Sequence, residues 1–127
     1  MFEKLELTRM AQALATHAGS RMGVIARNIA HADTPGYKAQ DLPGFAEVFD
    51  ESGQAMRATR PGHFAASSSM GEMQTETAPG RESPNGNTVS LEGEMVKSVE
   101  ARQSHEMALA VYRATSDVIR ASLGRGR

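Results

Sequence analysis

The chain is organised around residues 28–38, which read Asn28-Ile29-Ala30-His31-Ala32-Asp33-Thr34-Pro35-Gly36-Tyr37-Lys38. Pro35 disfavours helix at the residue before it and fits the second position of a turn, and Gly36 can adopt the positive φ that a type II turn needs next. Asn28 can satisfy backbone groups near the helix terminus, and Tyr37 can pack back on the helix while its hydroxyl stays in water. The stretch therefore predicts a helix end, a turn and an exit into an extended segment.

Upstream of this turn, residues 1–33 are predicted to form one long N-terminal helix. Apolar residues recur there at steps of three and four, the spacing of one helical face: Leu7, Ala11, Leu14, Ala18, Met22, Ile25, Ile29 and Ala32. Small residues also recur every four positions, at Ala11, Ala15, Gly19 and Gly23. Such a ridge would let another helix approach closely. The alternative is that the two glycines only soften a solvent-exposed face.

Residues 89–127 are predicted to form a longer C-terminal helix that Ser90 caps, that Gly124 ends and that a frayed tail follows. Two apolar stripes run along it. The first comprises Leu91, Met95, Leu109, Tyr112, Ile119 and Leu123, and the second Val96, Val99, Met107, Ala110, Ala114, Val118 and Ala121. A helix with one solvent-exposed side needs one stripe. We expect the two terminal helices to bury one stripe between them and to leave the second stripe for other chains; the alternative is a three-element bundle within the monomer.

The residues that we expect at helix contacts in an assembly lie on both terminal helices. They are Leu14, Gly19, Gly23, Ile25, Met95, Val99, Leu109, Ala110, Tyr112, Ile119 and Leu123.

The middle segment, residues 34–88, differs in kind from both helices. Between Glu51 and Thr88 there is no Leu, Ile or Val, so this part cannot bury enough apolar surface to offset its ordering entropy and is expected to be disordered on its own. Asn85-Gly86 is a tight-turn signal without the flanking alternation of a hairpin. The predicted fold is therefore mainly α, with the terminal helices paired as a coiled-coil-like hairpin and an irregular middle segment in which some β structure is allowed.

Composition excludes several classes of function. A chain of 127 residues allows one domain at most, and the absence of Cys excludes disulfides, thiolate metal sites and a cysteine nucleophile. A net charge of -1 gives no reason to expect nucleic acid as a partner. The four histidines, His17, His31, His63 and His105, show no metal-ligand spacing, and no catalytic motif is present. We therefore expect no enzyme activity, no catalytic residues, no cofactor and no metal.

The chain also lacks the sequence features of membrane insertion. No run approaches the roughly 20 apolar residues that a bilayer-spanning helix needs. The start lacks a basic region followed by an apolar one, so we expect no direct membrane span and no cleaved secretory signal.

The stretch at residues 28–38 resembles the N-terminal signature of bacterial flagellar axial proteins, which form the rod, the hook and the hook-associated structures. That signature ends a helix with Asn-Ile-Ala-Asn, a variable pair and Thr-Pro-Gly-Tyr. Here the matching residues are Asn28, Ile29 and Ala30, then Asp33 in the variable pair, then Thr34, Pro35, Gly36 and Tyr37; His31 stands where the family usually has Asn. The short middle segment and the later Asn85-Gly86-Asn87-Thr88-Val89 resemble the proximal rod members most closely.

The resemblance implies a structural subunit of the flagellar basal-body rod that polymerises helically through its terminal helices. It also implies as partners copies of the chain, other rod proteins, the rod-base adaptor, the MS ring and the flagellar type III export gate. Export from the cytoplasm to a periplasmic rod would then proceed without a cleaved signal. The alternative from another class is a small regulatory or chaperone-like helical hairpin that binds a single partner.

Overall fold

The computed structural model describes residues 2–53 and 73–124, so the predictions for the intervening segment and for the tail after Gly124 lie outside the described residues. The elements are α1 (Phe2–Ala30), β1 (Gln40–Asp41), α2 (Phe45–Gly53), β2 (Glu76–Thr77) and α3 (Leu91–Gly124).

α1 and α3 pack along each other as an antiparallel hairpin, with the end of α1 beside the start of α3. Both helices bury residues at intervals of seven, the repeat of a coiled coil. In α1 these are Ala11, Ala18 and Ile25, and in α3 they are Glu94, Ala101, Ala108 and Thr115. Among the described residues, six of the nine buried apolar side chains are Ala. The predicted helical hairpin is confirmed, and its seam is thin because small residues line it.

The residues of α3 that are buried in the seam belong to neither predicted stripe. In the first stripe, Leu109 and Ile119 are half-buried, whereas Met95 is 64% exposed and Leu123 is 69% exposed. The expectation that one apolar stripe fills the seam is therefore wrong. Small side chains fill it because they allow the two backbones to approach closely, which leaves the larger apolar side chains outside. The second stripe is exposed, as expected for a single chain.

The turn after α1 has the predicted type II geometry. The Tyr37 amide donates to the Thr34 carbonyl at 3.3 Å, and Gly36 has a φ of 72°. Pro35 fixes the negative φ that precedes it. At the same end of the hairpin, the Ser90 hydroxyl accepts a hydrogen bond from the Gly93 amide at 3.3 Å, which confirms Ser90 as the cap of α3.

The middle segment contains more structure than the sequence predicted. β1 and β2 pair antiparallel, with Gln40 opposite Thr77 and Asp41 opposite Glu76. Residues 73–88 are held against β1 and the turn after α1 by backbone and side-chain hydrogen bonds, so this part is ordered within the whole chain; the expectation that it is disordered on its own stays a prediction. Hydrogen bonds to the rest of the chain, rather than apolar burial, hold it in place.

α2 is an element that the sequence analysis missed. Phe45 packs edge-on against His17 of α1 with ring centroids 5.8 Å apart, and it lies 5.4 Å from the ring of Phe49. The spacing of Phe45, Val48 and Phe49 is that of one helical face and was the available signal.

None of the helices in the described ranges combines the length and apolarity that crossing a membrane requires.

Candidate functional site

Asn28 is the centre of a polar cluster between the end of α1 and the start of α3. Its side-chain amide donates to the Gln40 carbonyl at 2.6 Å and to Glu94 Oε2 at 3.0 Å. Its side-chain oxygen accepts from the Gln40 amide at 3.1 Å and from the Tyr37 hydroxyl at 3.2 Å. Asn28 is 0% exposed, and all four of its side-chain hydrogen-bonding positions are used. The residue therefore joins three parts of the chain.

Two expectations for the signature are corrected by this geometry. Asn28 does not satisfy the last carbonyls of its own helix, because its amide is aimed across to β1 and α3. The Tyr37 hydroxyl bonds Asn28, and its ring stacks on His31 with centroids 4.6 Å apart. The turn brings Tyr37 over the helix end, where the buried amide oxygen of Asn28 needs a second donor.

Ion pairs extend this cluster along the seam. Glu94 Oε1 lies 3.1 Å from Lys97 Nζ, which lies 3.3 Å from Asp41 Oδ2. Asp41 accepts two hydrogen bonds from the Arg21 guanidinium, at 3.0 and 3.2 Å. Glu94 is only 3% exposed, and its charge is matched by Lys97 and by the Asn28 amide. We call the five residues Arg21, Asn28, Asp41, Glu94 and Lys97 the polar joint.

Within the polar joint, Asp41 and its two cationic partners, Arg21 and Lys97, have pKa values shifted toward their ionised forms. Desolvation raises the pKa of Asp41, but hydrogen bonds from Arg21 and the Leu42 amide, with the charges of Arg21 and Lys97, outweigh it and lower the pKa below 3.8. Desolvation likewise lowers the pKa of Lys97, but its bond to Glu94 and the attraction of Asp41 leave that pKa raised. The hydrogen bond to Asp41 is the main cause that raises the pKa of Arg21.

Asn87 supplies the cap that α1 does not provide for itself. Its side-chain amide donates to the carbonyls of His31, Ala32 and Thr34 at 2.8–2.9 Å, and its side-chain oxygen accepts from the Val89 amide at 2.7 Å. Asn87 is 2% exposed. These three carbonyls belong to the turn that follows α1, so a residue more than fifty positions away holds the chain where it leaves the helix.

The turn at Pro35-Gly36 and the turn at Asn85-Gly86 are hydrogen-bonded to each other beside Asn87. The Gly36 amide donates to the Asn85 carbonyl at 3.0 Å, and the Thr88 amide donates to the Tyr37 carbonyl at 3.1 Å. Gly86 has a φ of 82°, and a Cβ there would lie 3.3 Å from Gly36 Cα. The predicted tight turn at Asn85-Gly86 is therefore present, and both glycines sit in conformations that favour Gly.

The structure brings together only some of the predicted signature residues. Asn28 and Tyr37 share the cluster, whereas Ile29, Ala30, Asp33, Thr34, Pro35 and Gly36 are exposed. The sequence analysis missed the roles of Asn87 and of the charged residues of the polar joint. The Asn-Gly-Asn-Thr-Val element was the signal for Asn87; no pattern in sequence links Arg21 to Asp41.

The predicted helix-contact residues separate into two groups in the single chain. Ile25 is 2% exposed in the seam, and Leu14, Leu109 and Ile119 are half-buried. The others lie at the surface: Gly19, Gly23, Met95, Val99, Ala110, Tyr112 and Leu123. Between these groups, Met22, Ile25, Ile29 and Val99 line an open groove of about 280 Å³.

Two of the predicted histidines, His17 and His31, have contacts that hold the fold. His17 Nε2 donates to the Pro43 carbonyl at 2.8 Å, which places His17 between α1 and α2. No group of three or more His, Asp or Glu with the arrangement of a metal site occurs within residues 2–53 and 73–124.

The paired terminal helices and the type II turn after α1 define a helical-hairpin protein, and its turn carries the signature that resembles that of the flagellar axial proteins. Comparison with curated proteins identifies one family within this class. The chain is 36% identical over 104 residues to the flagellar basal body rod protein FlgB of Cereibacter sphaeroides, with 80% of each chain covered. It is 29% identical over 122 residues to the protein of the same name from Salmonella typhimurium, covering 87% of this chain and 88% of the relative. It is 26% identical over 118 residues to that of Agrobacterium fabrum, with 88% of each covered.

No family model matches the chain. The length and identity of the relatives nevertheless show that the chain belongs to the FlgB family of flagellar basal body rod proteins.

Proposed function

We propose that this chain is a structural subunit of the proximal flagellar rod and that it assembles helically through the outward faces of α1 and α3. The second stripe of α3 carries the proposal. Within it Val96, Val99, Met107 and Val118 are 48–66% exposed in the single chain. Apolar side chains arranged along a helix face in this way gain free energy only when another chain covers them.

The two outward faces differ from each other, which favours an open assembly. The outward face of α1 contains Gly19, Gly23 and Ala26, whereas that of α3 contains larger apolar residues. Contacts between unlike faces are heterologous, and heterologous contacts that do not close into a ring generate helical assemblies. A rod is such an assembly.

The polar joint gives this assembly a defined building block. Buried ionic and amide groups tie the end of α1 to β1 and to the start of α3, and each group is satisfied in a single arrangement. A shifted register would separate Glu94 from Asn28 and Lys97 from Asp41, and the loss of these partners around a buried carboxylate is costly. We therefore propose that the polar joint fixes the register and orientation of the outward face of α1 relative to the outward face of α3.

The proposed partners are copies of the chain, other rod proteins, the rod-base adaptor, the MS ring and the flagellar type III export gate. The names of the relatives place those proteins in the flagellar basal body, and we extend that location to this chain, with delivery to the periplasmic rod through the type III apparatus. The proposal includes no catalysis, cofactor or metal.

Purified basal bodies provide the test. A strain that lacks the chain should be non-motile, and a tagged copy should restore motility and copurify with the basal body at its rod base. A tagged copy that restores motility yet remains in the cytoplasm would contradict the proposal and favour a regulatory hairpin, an alternative for which the relatives give no support.

A further inference from the structure

The outward face of α3 combines an apolar stripe with a border of acidic residues. Successive residues of a helix are about 100° apart. This places Glu100 along one edge of the second stripe, Glu106 and Asp117 along the other edge, and Glu92 within the stripe. Arg102, Arg113 and Arg120 lie farther round the helix, beyond the edge that carries Glu106 and Asp117. Glu92, Glu106 and Asp117 have no ion-pair partner within the described ranges. Glu100 lies 3.8 Å from Arg21 and is 58% exposed.

The outward face of α1 has the complementary character. There is no Asp or Glu from Leu7 to Ala30, and Arg9 and Arg27 are exposed at the two ends of this stretch without ion-pair partners among the described residues. Between them lie Gly19 and Gly23, and a Cβ at either glycine would meet no atom within 4 Å. The outward face of α1 therefore carries small and basic residues, whereas the outward face of α3 carries larger apolar residues and acidic residues.

The spacing of the charges on the two faces also matches. Arg9 and Arg27 are 18 residues apart and Glu100 and Asp117 are 17 apart, which correspond to about 27 and about 26 Å along a helix at about 1.5 Å per residue. A single antiparallel register therefore places Arg9 level with Asp117 and Arg27 level with Glu100 along the helix axis. Glu100 and Asp117 lie on opposite edges of the stripe, so both pairs form when the two helices cross at a small angle. Copies that share one direction along a rod axis present α1 and a neighbour's α3 in that antiparallel sense.

On the basis of the proposed function, we propose that the outward face of α1 in one copy binds the outward face of α3 in a second copy of this chain, with the Arg9–Asp117 and Arg27–Glu100 pairs setting the register. In this register Thr16 lies opposite Ala110, and Gly19 lies opposite Met107. The missing side chains of the α1 glycines then leave room for Met107.

Disulfide trapping tests the contact, because the chain contains no Cys. Thr16→Cys and Ala110→Cys are both exposed helix positions, so neither substitution disturbs the fold. Differently tagged chains that carry one substitution each should form a mixed disulfide. The matched control pairs Thr16→Cys with Arg120→Cys, which is exposed about 15 Å further along α3 and lies about 80° round the helix from Ala110. We expect a yield about tenfold higher for the first mixture, because a disulfide needs Cα atoms closer than about 7 Å.

Charge exchange tests the register independently of the cysteines. Arg9→Glu places two acids together and should weaken the association of the copies by about tenfold, and a second change, Asp117→Arg, should restore it. Arg120→Glu makes the same charge change away from the contact and should have no effect.

Two outcomes overturn this inference. Disulfide dimers of Thr16→Cys chains alone would show that like faces meet. The absence of a mixed disulfide, in a strain where the tagged wild-type chain still enters the basal body, would show that another subunit covers the stripe. The second result leaves the proposed function standing, so the failures of the two proposals are distinguishable.

Discussion

Replacing Asn87 with Ala removes the side chain that joins the end of α1 to the segment before α3. His31 O and Thr34 O keep a backbone donor each, the Thr34 amide at 3.0 Å and the Tyr37 amide at 3.3 Å. The Ala32 carbonyl and the Val89 amide lose the hydrogen bonds of 2.9 and 2.7 Å that Asn87 gives them. A buried polar group without a partner costs about 1–3 kcal/mol, so Asn87→Ala should lower the free energy of unfolding by about 2–4 kcal/mol.

Asn87→Asp is the sharper variant, because it keeps the shape and the acceptor to Val89. Its carboxylate would face three carbonyl oxygens at the negative end of the α1 dipole. We expect a loss at least as large as that of Asn87→Ala. The control is Asn85→Ala. Asn85 is exposed, and its side-chain oxygen accepts one hydrogen bond from the backbone amide of Asn87, so the expected loss in the free energy of unfolding is below about 1 kcal/mol.

Urea unfolding followed by circular dichroism measures these differences. Sulfate in the buffer strengthens burial and provides a stable wild-type baseline. If Asn87→Ala and Asn87→Asp both unfold within about 0.5 kcal/mol of the wild type, the size expected of a neutral surface change, Asn87 does not hold the end of α1 and the reasoning fails.

Four further outcomes follow from the same contacts. Gly36→Val should abolish motility while the protein is still made and exported, because Gly36 has a φ of 72° that a β-branched residue cannot adopt without strain. Cells that carry the control Gly44→Val, at a position without a positive φ, should swim normally. Ala110→Asp and Leu109→Asp should block rod assembly in basal-body preparations, with Ala110→Ser as the tolerated control; normal swimming of Ala110→Asp would mean that the second stripe faces solvent. Because the pKa of Asp41 is depressed below 3.8, its contribution to the free energy of unfolding is complete above that pH and is lost as the pH falls through the folded-state pKa. The difference in free energy of unfolding between the wild type and Asp41→Asn should therefore become smaller in acid. A difference that does not change with pH would show that the ion pairs of Asp41 do not stabilise the fold. The isolated subunit should show weak helicity that rises with protein concentration, and a sharp melt independent of concentration would argue for a self-sufficient domain.

The core explains why the isolated subunit should be marginal. Six of the nine buried apolar residues in the described chain are Ala, and Ala contributes little area per residue. Of the larger apolar side chains of α3, Met95, Val96, Val99 and Met107 are all more than half exposed outside the seam.

The sequence by itself determined the elements that depend on local interactions. Apolar spacing predicted both terminal helices, Pro35 and Gly36 predicted the type II turn, and Ser90 predicted the cap of α3. These features follow from φ preferences and from contacts within a few residues, which a sequence states directly. The signature also indicated the family that the relatives later showed.

Only the tertiary structure decided which residues meet across the chain. The seam is filled by Ala101 and Ala108 rather than by an apolar stripe, because the helices approach each other most closely where side chains are small. Asn87 caps α1 across more than fifty residues, and Asp41 joins Arg21 to Lys97. Hydrogen bonds and ion pairs between distant residues depend on how elements are placed in space, and no periodicity in the sequence records that placement.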